Sequence, residues 1–137
     1  MNTDKHRWTR GSVLSSEFLC VLCVSVASVL GLFFKGHEMI QVFWEYTVKP
    51  EQVINFESHY ASAGTWARFF QKSHDWRGTI LLRDPETPHR YVTVDVWKDR
   101  AAYDAFRREH TREYEEIDRL CAEFTTAERC IGIFEVV

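Results

Sequence analysis

His110 is the side chain of this sequence best suited to moving a proton. It falls between Phe106 and Tyr114 on an otherwise apolar helical stripe, and an unperturbed imidazole titrates close to neutral pH. The plainer reading is a core or rim histidine held by a hydrogen bond. The chemical reading is a general base, which needs a pKa near the working pH. Six large rings, Tyr46, Tyr60, Trp66, Phe70, Tyr103 and Phe106, recur in the elements around it. Taken singly they read as core. Taken together they suit a flat aromatic ligand, because ligand pockets are mostly apolar with few polar groups.

Other chemistry finds little support. His59, His74 and His89 have no second ligand three or four residues away, and no zinc-type spacing occurs. There is no phosphate loop, dinucleotide glycine pattern or nucleophile elbow. Cys20 and Cys23 have C-x-x-C spacing but lie inside an apolar run, whereas a redox or metal site of that kind must be solvent-accessible. Cys121 and Cys130 read as small apolar residues rather than parts of a disulfide framework. Glu45 and Asp95 read first as partners in an inter-subunit salt bridge with Arg83, and second as catalytic acids.

The elements that must position these residues are legible from periodicity. Tyr91 to Trp97 alternates strictly, with three valines on one side, which predicts a strand. Asp99 stands at a helix N-cap. Tyr103, Phe106, His110, Tyr114, Ile117, Cys121 and Phe124 then follow at steps of three or four along a helix of roughly seven turns. Thr111 is able to start a new helix within it. Upstream, Met39 to Val48 alternates as a first strand, with Ile40, Val42, Trp44, Tyr46 and Val48 on one face. Pro50 opens a helix through about Lys72. Ser73 to Trp76 is a turn, Gly78 to Arg83 a second strand, and the two prolines in 84–88 make a loop. Thr125 to Glu128 reads as a link and Cys130 to Val137 as a last strand.

The order β-α-β-β-α-β predicts an α+β, ferredoxin-like domain over 39–137, a four-stranded antiparallel sheet with its helices on one face. The other face is expected to carry Gln41, Phe43, Glu45 and Thr47 with Thr79, Leu81 and Arg83 and with Tyr91, Thr93, Asp95 and Trp97. That mixture is too aromatic for open water and predicts an interface with a second copy of the chain, a homodimer.

Composition is consistent with one packed domain: 137 residues, 45% hydrophobic, 27% charged and 15% aromatic. The formal net charge of −3 and the lack of a basic patch argue against a nucleic-acid partner. Residues 1–38 have two readings. Phe18 to Phe34 is an uncharged run of 17 residues behind Lys5, Arg7 and Arg10, the pattern of a single membrane anchor with the domain carried across. Alternatively, Lys35 to Glu38 is encodable by a purine-rich ribosome-binding site ahead of Met39, so that 1–38 is an over-long reading of the gene and the domain is cytoplasmic.

The stretches Met39 to Glu51, Arg77 to Asp84, Tyr91 to Trp97, Ala101 to Phe106 and Ile131 to Phe134 resemble the antibiotic biosynthesis monooxygenase-like domains of the dimeric α/β-barrel superfamily. The resemblance covers 39–137. It implies a homodimer, and an aromatic-lined pocket between sheet and helices for a small aromatic ligand. It implies oxidation of phenols or quinols by O2 with no metal or other cofactor, His110 deprotonating the phenol so that the anion reduces O2. The alternatives are a non-enzymatic binding module and a haem-binding relative. Many relatives carry a histidine about where Phe106 stands. The asparagine, tryptophan and histidine of haem-degrading members are replaced by Phe43, Phe106 and Glu116, which demotes haem degradation.

Overall fold

The computed structural model describes residues 38–137. The run 18–34, read as an anchor or as part of an over-long extension, lies outside them. Among the described residues no helix is long and apolar enough to cross a membrane.

The first strand, β1 (Ile40–Val48), ends at Lys49, and Pro50–Gln52 forms a 3-10 turn where the ring of Pro50 presets the backbone. The single helix expected through Lys72 is two helices, α1 (Val53–Tyr60) and α2 (Thr65–Phe70). They are separated at Gly64, whose backbone lies so close to the carbonyl of His59 that a side chain does not fit. Strands β2 (Trp76–Arg83) and β3 (Arg90–Trp97) flank the proline loop, where the Asp84 carboxylate accepts from the backbone N–H groups of Glu86 and Thr87.

Asp99 caps the next helix as expected: its carboxylate accepts from Ala102 N at 2.7 Å. The long stripe is interrupted at His110, giving α3 (Arg100–Glu109) and α4 (Thr111–Cys121). Thr111 does not cap α4. Its hydroxyl donates back to the carbonyls of Arg107 and Arg108, closing the end of α3. A 3-10 turn at Ala122–Phe124 leads directly into β4 (Thr125–Glu135), so the expected link at 125–128 is already strand.

The sheet is antiparallel throughout, in the order β2-β3-β1-β4. This is the ferredoxin-like arrangement expected, with each helix doubled. Its faces, however, correct the sequence reading. Ile40, Val42, Trp44 and Tyr46 lie opposite Trp97, Asp95, Thr93 and Tyr91. Those four β3 residues therefore share the helix-covered face, and Thr79, Leu81 and Arg83 join them through their β3 partners. The ring contacts agree: Trp97 packs on Phe70, Tyr103 and Phe106, and Tyr91 on Phe56. Arg83 lies 3.9 Å from Glu57, and Glu45 pairs instead with Arg90 and Arg129.

The uncovered face holds Phe43, Val92, Val94, Val96, Ile80, Leu82 and Phe134, with Gln41 and Glu45 among them. Ile80, Leu82 and Phe134 are 51%, 48% and 52% exposed. The physical reason for the misreading is that each side of β3 carries large apolar groups, three valines on one and Tyr91 and Trp97 on the other. Alternation then shows that two faces exist without showing which one turns inward.

One packing prediction follows from the break between α1 and α2. A Cβ at Gly64 would stand 2.5 Å from the His59 carbonyl oxygen. Gly64→Ala should therefore destabilise the fold by ~1–3 kcal/mol, the usual cost of overpacking. Urea denaturation reads this directly, and an unchanged midpoint would show that the break relaxes freely.

Candidate functional site

Four of the six predicted rings meet in one place. Tyr46 from β1, Tyr60 from α1, and Trp66 and Phe70 from α2 line a cavity between the sheet and the helices. Trp44 adds a further ring from β1 and Tyr114 one from α4. The cavity's free volume is about 30 Å³, room for little more than a water molecule, so a substrate ring enters only as the wall side chains move apart. Tyr103 and Phe106 do not line it. They are buried against Trp97, and Phe106 also packs on Phe69, Phe70 and His110.

His110 also stands outside the cavity. It forms the joint between α3 and α4, with its ring 4.5 Å from that of Phe106 and edge-on to Phe69. It lines a separate, open hollow with Glu109, Arg112, Glu113 and Glu116.

Three polar residues expected on the opposite face of the sheet belong to the cavity. Thr79, Thr93 and Asp95 reach it because β2 and β3 turn that face inward. Asp118 reaches it from α4 and Glu128 from β4. Glu128 depends on a bulge in β4: Gly132 pairs with Phe43 but Cys130 with Trp44, leaving Ile131 as an extra residue. The bulge changes the parity of the strand, so Glu128 rather than Arg129 lies opposite Tyr46.

Burial decides the protonation of these groups. The hydroxyls of Tyr46, Tyr60 and Tyr114 are all held above the ordinary phenol range, chiefly by desolvation, and stay protonated near neutral pH. Thr93 beside Tyr46 and Arg107 beside Tyr114 oppose that rise in part. Arg107 donates to the Tyr103 hydroxyl at 3.0 Å and stacks its guanidinium over the Tyr114 ring. The indole N–H of Trp66 is buried with no hydrogen-bond partner of good geometry, although it lies near enough to Tyr60 and Cys121 to favour their ionised forms slightly.

Asp95 is the exceptional group. It is 9% exposed and accepts one short hydrogen bond, from the Thr79 hydroxyl at 2.5 Å. Desolvation pushes its pKa up to about 7, with Thr79 opposing. Among the described residues no cluster of His, Cys, Asp and Glu could hold a metal ion.

The sign of the linkage is fixed by that upward shift. Between about pH 4 and pH 7 the folded chain keeps a proton on Asp95 that the unfolded chain has released, so stability falls as pH rises through that window. Asp95→Asn removes the term. The variant should match the unaltered chain near pH 4 and exceed it above about pH 7, by on the order of 4 kcal/mol at most. Urea denaturation at the two pH values measures the gap. A variant that is less stable at alkaline pH would show that the carboxylate is well solvated or paired.

Residues 39–117 match the sequence profile of the family described as antibiotic biosynthesis monooxygenase. Among solved structures, the chain is similar to SnoaB, a cofactor-independent oxygenase from Streptomyces nogalater, at 20% identity and a TM-score of 0.60, over 73% of this chain and 94% of that one. It is also similar to a conserved protein from Methanosarcina mazei, at 22% identity and a TM-score of 0.59, over 75% of this chain and 97% of that one. No curated protein sequence matches it. At these identities the two structures speak for the fold, and the profile speaks for the family. The chain belongs to the antibiotic biosynthesis monooxygenase family.

Proposed function

We propose that this protein is a cofactor-independent monooxygenase acting on a small phenolic or quinol substrate bound in the cavity between sheet and helices. The observation that carries the reading is the cavity itself: aromatic walls from Tyr46, Tyr60, Trp66 and Phe70, with hydroxyls and one buried acid at the sheet. Flat rings are held by such walls through offset and edge-on contacts. Family membership and the fold shared with SnoaB support the reaction class. In the simplest balanced form, a phenol with a free para position and O2 give a quinone and water. One oxygen atom enters the ring, the other leaves as water, and the hydroxyl and para hydrogens leave with it. The protein's contribution is to ionise the phenol and exclude water while the anion is oxidised.

Oxygen uptake by the full 137-residue chain, with metals chelated, against anthrones, naphthols and hydroquinones tests this. Saturable uptake with one class is expected. Ligand binding without uptake would make the protein a binding module instead.

We further infer that two copies pair through the uncovered sheet face. Its row of Ile80, Leu82, Val92, Val96 and Phe43 is the kind of contiguous apolar patch that soluble proteins cover. Leu82→Glu and Ile80→Glu should shift sedimentation from dimer to monomer. A dimer that survives both substitutions would place the interface elsewhere.

A further inference from the structure

We propose that Asp95 is the proton acceptor of the cavity, and that Thr79 is a positioning residue that holds its carboxylate toward the substrate. This rests on the oxygenase reading above and assigns its base. Three observations lead to it. Asp95 lines the cavity from the middle of β3, at the sheet, beneath the rings. Its hydrogen bond from Thr79 comes from the neighbouring strand, where the register sets Thr79 directly opposite. Among the described residues no cation is hydrogen-bonded or ion-paired to it: its one side-chain hydrogen bond is from a hydroxyl, the buried Arg107 is engaged by the Tyr103 hydroxyl and the Tyr114 ring, and desolvation governs the Asp95 titration.

A buried carboxyl without a counter-charge is costly to keep. Nothing in the packing requires it, since an amide of the same shape would accept the same hydrogen bond from Thr79. A group held at such a cost at the wall of a cavity is a candidate for chemistry.

The titratable groups sharing the cavity with it are Tyr46 on β1, Tyr60 on α1, Tyr114 and Asp118 on α4 and Glu128 on β4, with Tyr103 and Arg107 of α3 outside the lining. Tyr46, Tyr60 and Tyr114 are held protonated by burial, so they can donate hydrogen bonds to a developing phenolate but cannot take its proton near neutral pH. His110 opens onto the other hollow.

The steps balance. The Asp95 carboxylate takes the hydroxyl proton, and the O–H electron pair stays on the substrate as phenolate. The phenolate is oxidised by O2, and a C–O bond forms at the para carbon to give a peroxide anion. The proton held on Asp95 passes to that peroxide and restores the carboxylate. The hydroperoxide then loses water: the O–O bond and the para C–H bond break, and a carbonyl forms. The substrate is oxidised by four electrons, and O2 is reduced to the level of the inserted oxygen and water.

The test compares the full chain with its Asp95→Asn, Thr79→Val and His110→Ala variants, using the member of the phenol panel that gives the fastest oxygen uptake. Asp95→Asn should lose ~10²–10⁴-fold in kcat/KM, the usual contribution of a general base, while its melting temperature at alkaline pH rises. A merely structural role would not separate those two effects. The kcat/KM profile of the unaltered chain should fall on the acid side of about pH 7. Thr79→Val should move that limb to higher pH, because a hydrogen bond favouring the carboxylate is gone. Uptake that survives in Asp95→Asn, or loss of uptake in His110→Ala alone, would return the role to the histidine and overturn this assignment while leaving the oxygenase reading intact. No uptake from the unaltered chain with any of the compounds would overturn both.

Discussion

The inward-facing side chains of β1 and β3 take their places from one registration, Val42 opposite Asp95. Side chains alternate with a period of two along a strand, so slipping β3 by a single residue against β1 would exchange its two faces completely. In the observed register Tyr91 and Trp97, large and nearly inaccessible, sit under the helices beside Ile40 and Tyr46. The same register carries Thr93 and Asp95 into the wall of the cavity and draws Thr79 in from β2. The valines are not wasted: Val94 lies between Phe43 and Ile80 on the uncovered face and is itself buried.

The core and the cavity are therefore one construction. Phe56, Tyr60, Trp66, Phe70, Trp97 and Phe106 form a continuous chain of ring contacts from α1 through α2 to α3. The cavity is the place where that chain fails to close against the sheet. Rings on either side of it are held by their neighbours, so opening it to a ligand moves those contacts together. Asp95 weakens the fold near neutral pH, because its charged form is desolvated. Such a trade of stability for a poised group is what functional sites commonly show.

Much of this was legible in the residues. The strand and helix periodicities, the Asp99 cap, the interruption at His110 and the antiparallel order all follow from local patterns, and the resemblance carried by 39–137 points to the family that the 39–117 match establishes. Tyr46, Tyr60, Trp66 and Phe70 were identifiable as a set because they recur on the inward stripes of β1, α1 and α2. What was not legible depends on cross-strand register. Periodicity gives the faces of each strand but not which face meets which, and in β3 three valines on one side competed with two large rings on the other. Asp95 was thereby read as an interface residue. A signal was present: Tyr91 and Trp97 flank it at spacing four and two, and rings of that size bury more area than valines. The bulge at Ile131, which turns Glu128 inward, left no mark beyond the neighbouring Gly132.

The most direct measurement is the titration of the Asp95 carboxyl itself, by carbon NMR of the full chain labelled at aspartate, with the resonance assigned by its loss in Asp95→Asn. The account predicts a midpoint at about pH 7, the mark of an acid turned inward, desolvated and answered only by a hydroxyl. A midpoint near pH 4, the value of a solvated aspartate, would put the carboxylate in water and contradict both the orientation of β3 and the chemistry built on it.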